Sequence, residues 1–101
     1  MHCVCNTLLL VHSEIYWTER SEEHIARHGV DPEEVEDVVF CRPHWFSDGR
    51  QGTTLCHGVT RAGRYLLVVL AESAVVPSAW YCATARDMTA AERRLFLKRT
   101  S

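Results

Sequence analysis

Six consecutive apolar residues, Tyr65-Leu66-Leu67-Val68-Val69-Leu70, constrain this chain more than any other stretch. A strand with one wet face alternates apolar and polar residues. A run that is apolar at every position needs cover on both sides and reads as the central strand of a sheet. Its neighbours follow from turn chemistry. Arg61-Ala62-Gly63-Arg64 has the composition of a hairpin turn, which makes 53–60 a strand antiparallel to the run. Glu72 to Ser78, with Pro77 inside it, is a second turn, and Ala79 to Ala85 returns as a third strand.

Helix signals frame this meander. Glu14 to Trp17 reads as a short strand, after which Thr18 or Ser21 can cap a helix running through about Arg27. Gly29 then suits the left-handed position that ends it. Asp31-Pro32-Glu33-Glu34 is a clearer start: a capping Asp, Pro in the first helical position, and acids in the first turn. Val35, Val38 and Val39 form the apolar stripe of that helix, which ends before Pro43. Residues 43–52 have loop composition. Thr89 opens a last helix over 89–98, with Met88, Ala91 and Leu95 on one face. The order predicts a single α+β domain over 14–101, with helices covering a small sheet of which one side can stay open. Residues 1–13 precede it as an N-terminal extension.

Composition limits the function classes. With 101 residues, 47% hydrophobic and 24% charged, the chain is one globular domain rather than a disordered segment. No apolar run approaches the roughly 20 residues of a membrane span. Thr7 to Val11 lacks the basic flank and cleavage site of a signal peptide, so a cytoplasmic location away from membranes is expected. Five cysteines without a secretory signal suggest reduced thiols, with Cys41, Cys56 and Cys82 as small core residues. Cys3 and Cys5, near His2 and His12, lack the spacing and second pair of a zinc site, so no metal or other cofactor is expected. The net charge of −2 hides an asymmetry. Residues 14–37 carry nine acids and two bases, a balance of −7, and residues 38–101 nine bases and four acids, a balance of +5. A basic half attracts phosphate and an acidic half a basic partner, although two ordinary solvated surfaces look the same. Trp17 and Trp45 can anchor a core or an interface with a second protein.

Chemistry concentrates in Tyr81 to Glu92, YCATARDMTAAE, where a strand runs into a capped helix. Thr89 and Glu92 have capping-box spacing, and Arg86 and Glu92 flank the junction. Glu92 can be only a cap and Arg86 only a partner of Asp87. His57, on the strand before the hairpin, is of a type that titrates near neutrality, although a single His on a strand is usually structural or exposed.

Four segments together resemble the BrnT family of toxins, the ribonuclease half of type II toxin–antitoxin modules, which share a RelE-like fold. They are Ile15-Tyr16-Trp17-Thr18 leading to Ala26-Arg27-His28-Gly29-Val30, then Asp31-Pro32-Glu33-Glu34-Val35. The hairpin Gly58-Val59-Thr60 with Gly63 to Val69 follows, then Thr84 to Thr89 with Glu92-Arg93-Arg94. The resemblance covers about Ile15 to Lys98. It implies metal-free mRNA cleavage by charged side chains on the sheet. It also implies a BrnA-like ribbon-helix-helix antitoxin, through which alone DNA is contacted; a homodimer is compatible with it. The matching positions are Arg86 and Glu92, then Arg64 and Glu72. In the chemistry such cleavage needs, Arg86, then Arg64, would stabilise the phosphorane, Glu92 or Glu72 would act as base, and His57 as acid. Tyr81 would stack a base or bond a phosphate, with Arg93 and Arg94 adding cations for RNA. The family often has Arg where this chain has Tyr81, which keeps open the alternative of a weak or inactive relative that only binds protein or RNA.

Overall fold

The computed structural model describes residues 12–101. The Cys3–Cys5 pair, the Thr7–Val11 run and nearly all of the proposed extension lie outside the described residues. The elements are β1 (Glu14–Ile15), α1 (Glu19–Ala26), α2 (Pro32–Phe40), β2 (His44–Asp48), a 3-10 turn (Arg50–Gly52), β3 (Thr54–Val59), β4 (Tyr65–Glu72), β5 (Ala79–Asp87) and α3 (Ala90–Thr100). The five strands form one sheet in the order β1-β5-β4-β3-β2. β4 is its middle strand and is antiparallel to both neighbours, as the apolar run predicts. β1 pairs with β5 in parallel, so the sheet is mixed and the class is α+β.

All three helices open on capping boxes. Thr18 rather than Ser21 caps α1: its hydroxyl accepts from the Ser21 N–H at 3.0 Å, and Ser21 accepts from the Thr18 N–H at 2.9 Å. Asp31 with Glu34 and Thr89 with Glu92 repeat the arrangement. Each satisfies two backbone donors that a helix start leaves free, stabilising it by about 1 kcal/mol. Gly29 takes the left-handed conformation expected of it, with φ of 69°.

The helices α1 and α2 cover one face of the sheet. Ile25, Val35, Val38 and Val39 meet Leu66, Val68 and Leu70 in a core closed to solvent. Gly58 brings α2 close to β3: a Cβ there would lie 2.8 Å from Val38 Cγ1 and 3.2 Å from Val38 O. Cys56 and Cys82 are free thiols buried in this core, and burial pushes both up, Cys82 to about 12. Cys41 differs from its expected role. It is half-buried after α2 and disulfide-bonded rather than a reduced core residue.

Two further differences shape the other face. Within the expected loop 43–52, His44–Asp48 pairs along its whole length with β3. Of the residues that give the segment its loop character, Pro43 and Gly49 flank the strand and Gly52 ends the 3-10 turn that follows. Phe46 packs on the core while Trp45 points the other way. The register of β5 shifts opposite Val69 and Leu70, leaving Ala83 as an extra residue. This bulge puts both Cys82 and Ala85 in the core, and therefore Tyr81, Thr84 and Arg86 on the opposite face.

α3 crosses part of that second face. Its anchor is Phe96, 1% exposed, whereas Leu95 on the expected apolar face is 41% exposed. Phe96 meets the edge of the Tyr65 ring at 5.9 Å between centroids. No helix among the described residues is long and apolar enough to cross a membrane.

The close approach at Gly58 is testable. Gly58→Ala should cost about 1–3 kcal/mol by overpacking against Val38. In a Val38→Ala background, which removes the clashing Cγ1, the added cost of Gly58→Ala should shrink. Urea unfolding of the four proteins of this cycle measures both.

Candidate functional site

On the face away from α1 and α2, cross-strand register builds a row. Leu67 on β4 lies opposite His57 on β3 and Arg86 on β5, and His57 lies opposite Trp45 on β2. Residues directly opposite one another share a face, so Trp45, His57, Leu67 and Arg86 line up across four strands. Glu92, from the first turn of α3, closes the row at the Arg86 end.

Arg86 and Glu92 meet through a two-bonded fork. Arg86 Nη1 and Nη2 donate to Glu92 Oε1 and Oε2, each at 2.8 Å, and Nη1 also donates to Asp87 O at 3.0 Å. Glu92 Oε1 accepts in addition the Thr89 N–H at 2.8 Å, so one carboxylate caps α3 and ties it to β5. The Arg86 guanidinium first, and the Thr89 N–H after it, hold the Glu92 carboxyl at about 2, against an ordinary 4.5. The side edge of Arg86, formed by Nε–H and the second Nη2–H, has no acceptor among the described residues. That edge is itself a bidentate donor.

His57 is 7% exposed and stacks on Trp45, with ring centroids 5.0 Å apart. Its Nδ1 has no hydrogen-bond partner among the described residues. Burial lowers its pKa, the nearby Glu92 charge opposes this, and the Arg86 charge adds to it. The imidazole is therefore neutral near neutral pH, which suits accepting a proton rather than the donating role expected of it. Arg99 lies over the Trp45 ring at 5.1 Å, and Arg93 over the Tyr65 ring at 4.1 Å.

Beside the row lies an open cleft of about 580 Å³. Leu55, Leu67 and Val69 form its floor, the Arg86–Glu92 pair one wall, and the loop from Asp48 to Thr53 the other.

Three of the five anticipated catalytic residues thus converge: His57, Arg86 and Glu92. The other two do not. Arg64 lies on the helix-covered side, where Nε and Nη2 grip Asp87 at 2.8 and 3.1 Å. Its remaining donors reach Gly29 O, His28 O and the Glu34 carboxylate. It joins the end of α1, the start of α2 and the end of β5. This also removes the Asp87 side chain as a partner for Arg86, which meets only the Asp87 carbonyl. Glu72 sits at the far end of β4 with a side chain 73% exposed, bonded to His12 Nε2 at 2.8 Å. Tyr81 shares the face of Arg86 but lies four β4 residues further along, about 13 Å away. Of the helix cations, Arg93 rests on Tyr65 and Arg94 faces an outer groove with Leu95 and Leu97. Trp17 packs on the core and donates to Glu36 at 3.0 Å, and Trp45 serves His57, so neither is a bare interface anchor. Trp45, expected as a core or interface anchor, and Arg50 also belong to the site; sequence pattern places neither there, because both fall in 43–52, whose composition is that of a loop. Among the described residues no cluster of side chains is arranged to hold a metal ion.

No protein-family model, curated protein or solved structure matches the chain.

The depressed Glu92 carboxyl sets a pH dependence. A carboxyl with a folded pKa below its unfolded value stabilises the fold above about 4.5, and that stabilisation is lost as pH falls towards 2. Glu92→Gln should therefore be less stable than wild type at neutral pH, by about 1 kcal/mol after allowing for solvent screening. The gap should close between pH 4.5 and 2, as measured by thermal melts across that range.

Proposed function

We propose that this chain is a RelE-like toxin of the BrnT kind, a metal-independent endoribonuclease neutralised by a ribbon-helix-helix antitoxin. The observation that carries the reading is the alignment of an imidazole and a half-open guanidinium in one row beside a nucleotide-sized cleft. The order of sequence segments from Ile15 to Lys98 supports the same family.

In this reading the roles differ from those suggested by residue type. Arg86 binds the scissile phosphate through its open edge while its other fork stays on Glu92. Glu92 is a positioning residue: a carboxyl held at about 2 is a weak base, but it fixes the guanidinium plane. His57 takes the 2′-hydroxyl proton as that oxygen attacks phosphorus. The imidazolium, disfavoured by burial and by Arg86, returns the proton to the departing 5′-oxygen, leaving a 2′,3′-cyclic phosphate and a 5′-hydroxyl. Tyr81 contacts a neighbouring nucleotide rather than the reacting one. The acidic surface of residues 14–37 is the side we assign to the antitoxin.

A second reading is favoured by one specific observation. Glu92 is already engaged as a helix cap and as the partner of Arg86, an arrangement that is complete without a substrate. On that reading the domain binds RNA or protein without cleaving.

Incubation of the purified protein with RNA in EDTA separates the two. Arg86→Ala should lower cleavage per folded molecule by about a hundredfold, the cost typical of losing one preorganised donor. Arg86→Lys, which keeps charge without the fork, should fall between. Unchanged cleavage with a reduced melting temperature would reject the catalytic assignment and leave Arg86 as the strut between β5 and α3.

A further inference from the structure

We propose that Arg50 is the second cation of the cleft, and that the cleft receives one nucleotide of single-stranded RNA. The phosphate lies between Arg50 and the open edge of Arg86, and the ribose or base lies on Leu55, Leu67 and Val69. This rests on the ribonuclease reading of the row above and adds the residue that positions the substrate and the orientation in which it enters.

The β2–β3 connection is built to hold Arg50 at the rim. Gly49 N–H donates to Thr53 O at 2.8 Å, closing the loop. Thr53 N–H and Oγ1–H both donate to the Arg50 carbonyl, at 3.0 and 2.6 Å. A Cβ at Gly49 would press on Thr53 Oγ1 and lie 3.1 Å from Leu55, so a side chain there would displace the hydroxyl that holds the Arg50 carbonyl. Gln51 is held at φ 55°, in the left-handed region that non-glycine residues rarely adopt. The backbone of Arg50 is thus fixed by bonds that leave its side chain out.

That side chain is exposed and makes no hydrogen bond or ion pair among the described residues. By contrast, Arg64 and Arg86 are paired to carboxylates. A guanidinium without a partner, at the edge of a concave site whose opposite wall carries an open donor fork, is placed for an anion shared between the two.

The whole lining argues for a nucleotide over a bare phosphate. Arg50 and Arg86 are offset by Asp48 and Glu92, so the cleft has no net charge to concentrate small anions. Glu92 is committed to Arg86, which leaves Asp48 as a free acceptor at the mouth. A nucleotide supplies what each part lacks: phosphate oxygens for the two guanidinium groups, a flat ring for the aliphatic floor, and hydroxyl or amino donors for Asp48. The volume of about 580 Å³ falls within the usual span of small-molecule sites, about 300–1,000 Å³.

The test uses a fluorescein-labelled 2′-O-methyl oligoribonucleotide, which lacks the attacking hydroxyl and so reports binding alone by anisotropy. Arg50→Ala should weaken binding about tenfold, the loss expected for a charge-assisted contact, and Arg50→Glu should weaken it further. Arg50→Lys should retain most of it. The slope of log affinity against log salt should fall by about one in Arg50→Ala. Melting temperatures should match wild type in all three, since the side chain has no partner among the described residues to lose. Wild-type binding that is undetectable, or equal in Arg50→Ala and Arg50→Glu, would overturn the proposal. If binding is equal while all-ribose RNA is still cleaved, the ribonuclease reading survives without Arg50. If binding depends on Arg50 and all-ribose RNA stays intact, the cleft assignment stands and the ribonuclease reading fails.

Discussion

The fork between Arg86 and Glu92 joins two parts of this fold that otherwise share little surface. α3 presents eleven residues, of which only Phe96 is buried. Burying one such side chain stabilises the helix by about 2–3 kcal/mol, little against the entropy of ordering the segment. The rest comes from polar contacts: the Thr89 cap, the Glu92 carboxylate on β5, and the Arg93 and Arg99 guanidinium groups over Tyr65 and Trp45. Remove Glu92 and the start of α3 loses its side-chain tie to β5 and half of its capping box, while the Met88 N–H still reaches Tyr65 O. Arg86, the cation of the candidate site, is itself half of that junction, so the site and the attachment of the helix share a residue pair.

The sheet can keep an open cleft on this side because its other side carries the apolar core. α1 and α2 press onto β3, β4 and β5 through valine, isoleucine and leucine, with Gly58 allowing the closest approach. The bulge at Ala83 makes the division complete. A β5 in strict alternation would have placed Cys82 and Arg86 on the same face, with either a buried guanidinium or an exposed core residue. The extra residue resolves this, directing Cys82 inward and Arg86 towards α3.

That division explains what could be read in the sequence. The apolar run of β4, the hairpin at Gly63, the Asp31 cap and the Thr89–Glu92 capping box are local signals, and local chemistry carried them into the structure; the choice of Thr18 over Ser21 and the reciprocal bonds of the first two caps appear only there. β2 was hidden because five residues between Pro43 and Gly49 are too few to show a period, and His44, Ser47 and Asp48 mask Trp45 and Phe46. The parallel pairing of β1 spans two residues and more than sixty positions of sequence, and no local pattern encodes it. Phe96 rather than Leu95 faces the sheet because α3 is oriented by the Glu92 fork, not by a continuous apolar stripe. Arg86, Glu92 and His57 were visible as residue types suited to phosphate chemistry. Their convergence depended on a register and a bulge that composition does not reveal.

The three arginines near the ends of β2, β4 and β5 show why residue type alone could not separate structural from ligand-binding roles. Each guanidinium has five N–H donors. In Arg64 all five meet acceptors: two Asp87 oxygens, two carbonyls and the Glu34 carboxylate. It can bind nothing further without breaking the joint between α1, α2 and β5, and its family-derived candidacy gives way to a structural role. In Arg86 three donors are engaged and one fork is free, so it can hold the helix and a ligand together. In Arg50 none is engaged by a described residue, while its backbone is held by Thr53. An exposed cation gains little from being fixed in place unless something arrives to meet it. The gradation from saturated to open runs from the packed face of the sheet to the rim of the cleft.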